Sequence, residues 1–304
     1  MKRELPTWRS LMYVPVNVEK FVDSAADRGA DAYILDLEDA VAPALKQEAR
    51  KMVAAAIPRV ARSGADVLVR VNRPWRMLVD DLEAAVLPGV AALALPKVES
   101  AEHLQAIAEM VDELEIERGI APGTVKFIAM VETANGFFRI EAIARAHERV
   151  VAVTIGAEDI ALSLGMLPEA EGLFYPKQQS VFAARAAGIL PLGFIGTVAD
   201  YKDIAAFRAT IERSKKLGFA GAMCIHPSQV PVLNEVYGVS TAEVARAQAM
   251  VAAYDAALAA GRGAIEFEGK MIDIPVVARA RDTLARAERA KTAGPAVLQN
   301  GGRT

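Results

Sequence analysis

Short apolar runs recur along the first 237 residues, and each is followed by polar residues and a segment of helical character. Apolar runs of this length, bounded by polar residues, are typical of strands that are buried on both faces. Eight such units close a barrel, whereas five to seven would favour an open, doubly wound sheet. The pattern therefore predicts an α/β fold, a TIM (β/α)8 barrel over residues 1–237, with strands at residues 11–15, 32–35, 66–71, 91–95, 127–131, 151–156, 189–195 and 221–225.

The segment 126–165 contains two of these predicted strands, and a carboxylate follows each of them. Glu132 follows the first strand, while Glu158 and Asp159 follow the second. A right-handed βαβ crossover makes neighbouring strands parallel, so these side chains should emerge at the same end of the sheet. Adjacent carboxylates with few cations nearby suit a hard divalent ion such as Mg²⁺. The alternative is that these residues are helix N-caps or loop charges.

The pattern changes after Tyr237. An Ala-rich amphipathic helix is predicted at residues 241–260, followed by a hairpin-like connection at 261–269 and a further helix to about residue 289. Because the barrel is already complete, residues 238–290 are predicted to form a helical lid that packs across the barrel mouth or on a neighbouring subunit. Residues 291–304 are Gly-rich and weakly patterned, which predicts a disordered tail.

The composition narrows the class of protein. Of the 304 residues 53% are hydrophobic, and the formal net charge is −3; the absence of a basic run argues against a nucleic-acid partner. No apolar run reaches the roughly 18 residues that a membrane span needs, and residues 1–9 lack the apolar core of a signal peptide. The one cysteine, Cys224, lies in an apolar run, which predicts a buried structural thiol and fits a cytoplasmic location.

Polar residues collect at the predicted carboxyl ends of the strands, where parallel α/β folds place their catalytic groups. Arg70 stands out because its strand is otherwise apolar, so its charge needs a partner. A Mg²⁺ ion chelated by a 2-oxo or 2-hydroxy acid, with Arg70 on the other side, would stabilise an enolate. The set of strand-end residues comprises Asp36, Glu38, Asp39, Arg70, Asn72, Lys97, Glu132, Glu158, Asp159, Thr197 and His226.

Several polar residues have a second interpretation. Lys97 either pairs with a nearby carboxylate or acts as a Schiff-base lysine, which would require desolvation of its amine. The acidic cluster at 36–39 either serves the site or marks the start of a helix. His226 is expected to hydrogen-bond a loop backbone, and His103 and His147 are expected on solvated helix surfaces.

At these residues the sequence resembles the HpcH/HpaI aldolase/citrate lyase β-subunit family, and within it the citrate-lyase-β-like branch of CoA-ester lyases. The resemblance runs from about Arg9 to Arg279, and it depends on many motifs in the same order. The motifs are YVP at 13–15, ILDLEDAVA at 34–42, VRVNR at 69–73, LPKVESA at 95–101, MVETANGF at 130–137, IGAEDIAL at 155–162, IHPSQVP at 225–231 and GKMIDIPV at 269–276.

The resemblance implies a TIM barrel with a C-terminal lid, assembled as a homotrimer or hexamer, and a Mg²⁺ cofactor. It implies that Arg70 contacts the oxo-acid and the reacting carbonyl, and that Asp273 is an acid/base delivered from the neighbouring subunit's lid. The resulting assignment is Arg70, Asp273 and Asp36 as catalytic residues; Arg70, Glu132, Glu158 and Asp159 for substrate binding; Glu132 and Asp159 as metal ligands; and Lys20 for CoA binding.

The sequence departs from the family pattern in three places. After the first strand, relatives usually have Pro-Gly and basic residues that hold the CoA phosphates, whereas here only Lys20 offers a positive charge. Residues 175–179 lack the arginine common there, and residues 193–196 lack an aspartate that relatives often carry. The motifs that carry the metal and carbonyl chemistry are intact, so carbon–carbon bond chemistry is predicted more firmly than the use of CoA.

Together these features predict a cytoplasmic, Mg²⁺-dependent carbon–carbon lyase of the retro-Claisen or aldol type. Its substrate would be a malyl-CoA- or citramalyl-CoA-like 2-hydroxyacid thioester, which gives glyoxylate or pyruvate and an acyl-CoA. One alternative is a CoA-independent aldolase acting on a free 2-oxo or 2-hydroxy acid. Another is a non-catalytic β-like subunit of a lyase complex. In each case the expected ligands are small molecules, with no nucleic acid and no membrane.

Overall fold

The computed structural model describes residues 5–198 and 202–292, and the chain divides after Tyr237 into two compact units. In the first unit, parallel strands form one eight-stranded sheet in which strands consecutive in sequence are neighbours and the eighth strand pairs with the first. The strands are β1 (Ser10–Pro15), β2 (Ala32–Asp36), β3 (Asp66–Arg70), β4 (Val90–Leu95), β5 (Lys126–Val131), β6 (Val150–Ile155), β7 (Leu190–Pro191) and β8 (Ala222–Cys224).

The sheet closes on itself between β7 and β8. Leu192 and Gly221 form a parallel bridge, the Gly193 N–H donates to Gly221 O (2.8 Å), and the Ala220 N–H donates to Pro191 O (3.0 Å). Because β8 also pairs with β1, every strand of the ring has two neighbours. The predicted TIM-barrel fold is therefore confirmed.

Helices connect the strands and cover the outside of the barrel. The Ser100 hydroxyl accepts a hydrogen bond from the His103 N–H (3.3 Å), as expected of an N-cap. Across the described part of the chain, no helix has the length and apolar character needed to cross a membrane. The helices of this unit are α1 (Glu19–Ala25), α2 (Lys46–Val60), α3 (Trp75–Ala85), α4 (Ala101–Glu117), α5 (Ala134–Phe137), α6 (Ile140–Ala144), α7 (Ala157–Leu164), α8 (Ala170–Ala187), α9 (Ile204–Lys216) and α10 (Gln229–Tyr237).

The barrel strands are buried on both faces, which explains why they are apolar almost throughout. In β5, Ile128 and Met130 point into the barrel interior and pack with residues of the other strands. Phe127, Ala129 and Val131 alternate with them and pack against the surrounding helices. An inner and an outer apolar layer therefore share each strand, and the polar residues are left to the strand ends.

Three elements differ from their predicted bounds. The α3 helix begins at Trp75, well before the predicted start at residue 80. The β7 strand has two residues rather than the predicted run 189–195, because the backbone leaves the extended conformation at Gly193, which adopts a positive φ of 131°. The helix predicted between β5 and β6 is divided into α5 and α6. Of the helix predicted at 201–217, residue 201 lies outside the described residues.

The second unit is a pair of helices with a hairpin between them. Ala247, Met250 and Tyr254 of the first helix pack with Val277 of the second and with Ile272 of the hairpin. The predicted hairpin-like connection is an antiparallel strand pair, while most of the predicted disordered tail, residues 293–304, lies outside the described residues. The elements are α11 (Thr241–Ala259), β9 (Ile265–Phe267), β10 (Lys270–Ile272) and α12 (Ile274–Thr292). The role of this unit as a lid stays a prediction.

Candidate active site

Arg70, the last residue of β3, is held in a fixed orientation. Its Nε and Nη2 donate to the two carboxylate oxygens of Asp36 (2.8 and 2.6 Å), and Nη1 lies 2.9 Å from Glu38 and 3.1 Å from Asp39. The guanidinium also lies over the Tyr13 ring, 4.6 Å from its centroid. Burial lowers the pKa of Arg70, but the hydrogen bonds to Asp36 and the charges of Tyr13, Asp36 and Glu38 together outweigh burial, so the pKa is raised. Asp36 is thus the partner that the charge of Arg70 requires.

Asp36 ends β2 and is completely buried. Besides the two bonds from Arg70, its carboxylate accepts the N–H groups of Glu38 (2.8 Å) and Ala40 (3.2 Å). The bonds to the backbone fix the turn after β2, and the bidentate pair fixes the plane of the guanidinium. No helix begins at residues 36–39, because α2 starts at Lys46, so the helix-start interpretation does not describe Asp36. Its geometry suits orientation of Arg70.

Lys97 follows β4 and joins carboxylates from three other strand ends. Its main-chain N–H donates to Glu132 Oε2 (2.9 Å), and its Nζ lies 3.0 Å from Glu38 Oε1 and 3.3 Å from Asp159 Oδ1. Burial would lower the pKa of Lys97, but the charge of Glu38 and the hydrogen bond to it raise the pKa. An amine that stays protonated is a poor nucleophile, so this environment favours the ion-pair interpretation over a Schiff base.

Glu132 follows β5, and its side chain is among the most buried of the site, with 3% exposure. Its Oε1 lies against Gly156, where a Cβ, if the residue had one, would lie only 2.4 Å away, so the position accommodates the carboxylate only because it is a glycine. Burial, followed by the negative charges of Glu38 and Asp159, raises the pKa of Glu132 to about 7. A buried carboxylate beside other carboxylates is a group that a cation would stabilise.

The two carboxylates after β6 have different neighbours. Glu158 and Asp159 occupy the first turn of α7. Asp159 is directed to Lys97, whereas Glu158 is exposed and accepts a hydrogen bond from the Thr197 hydroxyl (2.5 Å). Asp159 and Glu132 therefore lie in one charged network, as the βαβ argument predicts, and Glu158 connects that network to the loop after β7.

The donor set at these strand ends fits a divalent cation. Six carboxylates collect here, and two basic side chains form ion pairs with members of this group; Lys46 lies nearby and donates to the Leu37 and Glu38 carbonyl groups. All the candidate ligand atoms are hard oxygen atoms, which Mg²⁺ prefers. Within residues 5–198 and 202–292, no three His, Cys, Asp or Glu side chains form a complete metal site. Mg²⁺ is usually bound by one or two carboxylates, while water or substrate supplies the other oxygens. The groups are Asp36, Glu38, Asp39, Glu132, Glu158 and Asp159 against Arg70 and Lys97.

Among the described residues, the ion pairs of this network do not include two other assigned residues, Lys20 and Asp273. Lys20 is exposed in the first turn of α1. Asp273 belongs to the second unit, where it is exposed between β10 and α12 and its Oδ1 accepts the Val276 N–H (3.4 Å). Their roles in CoA binding and acid/base chemistry, like the roles of the other assigned residues, stay predictions.

The histidine and cysteine predictions have mixed outcomes. His226 is a loop residue, and its Nδ1 contacts the Ser228 hydroxyl (2.7 Å) and accepts the Ser228 N–H (3.2 Å). Cys224 is buried as predicted, and burial raises the pKa of its thiol to about 12. The solvated location predicted for His103 is wrong, because its ring is buried edge-to-face against Trp75, and burial lowers its pKa to about 4.

Lys177, a buried lysine of α8, is not among the site residues predicted from the sequence. Its Nζ donates to Phe194 O (2.8 Å) and Gly196 O (2.8 Å), which anchors the loop that carries Thr197. Burial lowers the pKa of Lys177 to about 7. The signal was present in the spacing, since Lys177 follows the buried Leu173 by one helical turn. The two segments that depart from the family pattern, 175–179 and 193–196, meet at this lysine.

Comparison with known proteins gives consistent matches over almost the whole chain. The family model for HpcH/HpaI aldolase/citrate lyase matches residues 9–227. The citrate lyase subunit beta of Escherichia coli K12 is 35% identical over 292 residues, covering 94% of this chain and 95% of the relative. A (3S)-malyl-CoA thioesterase of Cereibacter sphaeroides is 33% identical over 293 residues, covering 95% and 97%.

Solved structures of similar proteins include complexes with small ligands. The CitE protein of Mycobacterium tuberculosis, in complex with magnesium, acetoacetate and coenzyme A, is 32% identical with a TM-score of 0.71. That match covers 94% of this chain and 99% of the CitE chain. A citrate lyase beta subunit from the same organism, complexed with oxaloacetate and magnesium, is 28% identical with a TM-score of 0.60 and covers 77% and 98%.

Proposed function

The chain belongs to the HpcH/HpaI aldolase/citrate lyase family, a family of lyases, and from this premise we propose that it is a Mg²⁺-dependent carbon–carbon lyase. Its substrate is a malyl-CoA- or citramalyl-CoA-like 2-hydroxyacid thioester, and the products are glyoxylate or pyruvate and an acyl-CoA. The observation that carries this proposal is the meeting of a buried carboxylate, Glu132, with a fixed guanidinium, Arg70, in one strand-end network.

In this proposal Glu132 and Asp159 hold the cation. Gly156 leaves room for the Glu132 carboxylate, and the surplus of negative charge provides the electrostatic reason for cation binding. Mg²⁺ bound there would chelate the 2-hydroxy-carboxylate end of the substrate and stabilise negative charge that develops on oxygen. Magnesium in the M. tuberculosis CitE complexes supports this choice of metal.

Arg70 binds the other side of the reacting group. Asp36 fixes the guanidinium plane through two hydrogen bonds, so Arg70 is preorganised to hold a carboxylate or enolate oxygen. The substrate's hydroxyl group gives its proton to water, and the O–H electron pair forms the oxo-acid carbonyl. The carbon–carbon bond breaks, and its electron pair passes to the thioester as an enolate. Removing Asp36 would leave Arg70 charged but held only through Nη1 and the Tyr13 ring, so its guanidinium plane would be less well fixed, which costs catalysis through orientation.

Asp273 completes the proposed reaction by protonating the enolate carbon, or by removing that proton in the condensation direction. We assign this role to Asp273 of a neighbouring subunit, in a homotrimer or hexamer. Its exposure and its location directly before α12 suit a residue that is presented from the surface of the second unit. The coenzyme A in the M. tuberculosis CitE complex supports a CoA thioester as substrate.

A CoA-independent aldolase acting on a free 2-oxo or 2-hydroxy acid is the second candidate. The segment after β1 favours this candidate, because Lys20, exposed at the start of α1, is the one basic residue that it offers to the CoA phosphates. A CoA-binding site would gain affinity from several phosphate-binding cations. The same metal and the same Arg70 would serve either substrate. The two candidates therefore differ only in whether the substrate is a CoA thioester or a free acid.

A thermal-shift titration tests the proposal. Ligands that bind the native state raise the melting temperature by mass action, so Mg²⁺ should stabilise the protein, and glyoxylate, pyruvate or oxaloacetate should add stability only when Mg²⁺ is present. Asp159→Asn should abolish the Mg²⁺ response, whereas the control Asp80→Asn, an exposed carboxylate on α3, should retain it.

Repeating the titration with acetyl-CoA decides between the CoA thioester and the free acid as substrate. Further stabilisation by acetyl-CoA supports the thioester lyase, and stabilisation by the oxo-acid alone supports the free-acid aldolase. A wild-type protein that does not respond to Mg²⁺, or an Asp159→Asn variant with undiminished turnover, would overturn the proposed site. A protein that binds these ligands but turns over only with a copurifying partner would be a subunit of a larger lyase.

A further inference from the structure

Lys97 contacts carboxylates that follow three different strands of the barrel. The main-chain N–H reaches Glu132, while the side chain reaches Glu38 and Asp159. These carboxylates follow β5, β2 and β6 respectively, so Lys97 connects groups that the barrel alone would leave to repel one another.

The backbone of Lys97 adopts a conformation that L residues with a Cβ rarely have. Its φ is +50°, in the left-handed region, where the Cβ approaches the following carbonyl oxygen. The conformation is held on both sides: Arg73 Nε donates to Lys97 O (3.1 Å), and the Val98 N–H donates to Met130 O (3.0 Å). Unfavourable backbone geometry that is maintained by its neighbours is typical of functional sites. Here it directs the Lys97 N–H to Glu132.

The side chain of Lys97, in contrast, is free to exchange partners. Its ammonium is a compact charge on a flexible stem, it is 31% exposed, and Asp159 is 34% exposed. Arg70 has no such freedom, because Asp36 holds its guanidinium with two hydrogen bonds. The network thus contains one fixed cation and one movable cation.

We propose that Lys97 is the exchangeable counter-ion of this site, whose ammonium holds Asp159 and Glu38 until a divalent cation displaces it from Asp159. The inference rests on the proposed metal role of Glu132 and Asp159. An ammonium 3.3 Å from Asp159 Oδ1 and a divalent cation bound directly to the same carboxylate would repel strongly. Cation binding therefore moves the ammonium towards Glu38, while the Lys97 N–H keeps its bond to Glu132.

The inference is tested by measuring divalent-cation affinity without substrate. The probe is Mn²⁺, which has a hard-ligand preference like that of Mg²⁺ and can be counted by electron paramagnetic resonance. Lys97→Asn removes the charge but retains the N–H, and Asn tolerates the left-handed conformation. Lys126→Asn is the matched control, since it removes the same charge at the first residue of β5, where Nζ contacts Gly123 O.

Lys97→Asn should bind Mn²⁺ about three- to tenfold more tightly than wild type, because a partly exposed ion pair no longer competes with the cation. Lys126→Asn should bind it as wild type does. Equal or weaker binding by Lys97→Asn would overturn the counter-ion role. If the Asn variant does not fold, Lys97→Gly provides the same comparison, since Gly also suits the positive φ.

A further comparison separates this inference from the proposed function. If wild type binds no Mn²⁺, or if Glu132→Gln binds it undiminished, the proposed metal site fails and the counter-ion role fails with it. If wild type binds Mn²⁺ and Glu132→Gln does not, the site stands, and the Lys97→Asn affinity alone decides the counter-ion role.

Discussion

Glu132→Gln should change the pH dependence of stability in metal-free protein. In the folded barrel the Glu132 pKa is raised from 4.5 to about 7 by burial and by the charges of Glu38 and Asp159. Between these two pH values the folded state retains a proton that the unfolded state has lost. The free energy of unfolding of wild type therefore falls as the pH rises from 4.5 to 7. Gln has nearly the same shape and no titrating proton, so the variant lacks this loss.

The magnitude follows from the same two pKa values. One unit of pKa difference corresponds to about 1.4 kcal/mol, so the complete loss, reached above pH 7, amounts to about 3.5 kcal/mol. Between pH 5 and pH 8 the stability of Glu132→Gln relative to wild type should rise by about 2.5 kcal/mol. This is a large part of the 5–15 kcal/mol that stabilises a typical domain. This difference is the amount by which the ionised Glu132 carboxylate destabilises the metal-free fold.

Urea denaturation in the presence of EDTA measures this difference. The chain has two tryptophans, Trp8 and Trp75, and both lie in the barrel unit, so tryptophan fluorescence reports on that unit alone. Adding Mg²⁺ at pH 8 should stabilise wild type by about 2.7 kcal/mol at one hundred times its dissociation constant. It should not stabilise Glu132→Gln, because the variant has lost a ligand.

Glu115→Gln provides a control of opposite sign. Glu115 is a buried carboxylate paired with Arg149. Burial raises its pKa, but the hydrogen bonds from Arg149 and from the Val125 and Gly123 N–H groups, with the charge of Arg149, together outweigh burial, so the pKa is lowered. The folded state loses this proton below pH 4.5 and the unfolded state loses it near pH 4.5, so Glu115→Gln should be less stable by a nearly constant amount between pH 5 and pH 8. A Glu132→Gln curve parallel to that of wild type would refute the reasoning about Glu132.

Two further predictions concern the supports of the site. Gly156→Ala should raise the Mg²⁺ concentration needed for half of the rise in melting temperature at least about tenfold, because the new Cβ would approach Glu132 Oε1. An unchanged Mg²⁺ titration would contradict this. Burial lowers the pKa of Lys177 from 10.5 to about 7. Between pH 7 and pH 10.5 the unfolded state therefore binds a proton that the folded state has lost. The free energy of unfolding of wild type should rise with pH in this range by up to about 1.4 kcal/mol per pH unit. Lys177→Met should remove that rise, as measured by urea denaturation at pH 7 and pH 9, and a slope that persists in the variant would assign it to other groups.

Predictions made from local sequence patterns fail where tertiary packing overrides the pattern. His103 lies on a helix whose pattern allowed a solvated side chain, but α3 begins at Trp75 and brings that ring against it. The β7 strand is shorter than its apolar run, because the backbone leaves the extended conformation at Gly193, directly after the bridge at Leu192. Lys177 fits its helix pattern only as a buried residue, and the carbonyl groups that make its burial tolerable come from another element.

The sequence by itself determined the barrel and the end of the barrel at which the charged side chains collect. Eight apolar runs that alternate with helices require parallel strands buried on both faces, and such strands leave polar side chains only at their ends. This is why Arg70, Glu132 and Asp159 could be assigned to one site from the order of the motifs. Local periodicity is sufficient here, because it reports which residues face the apolar layers.

Only the tertiary structure decided which of these side chains meet. Asp36 pairs with Arg70 because β2 and β3 are in register at these two residues. Lys97 reaches Glu38 and Asp159 because the barrel curves and its own backbone turns into the left-handed region. Neighbouring strands are only about 4.8 Å apart, so a shift of one residue in register would exchange partners without changing the pattern along any strand. Pairing across the barrel mouth is therefore a property of register and curvature, which no local stretch of sequence contains.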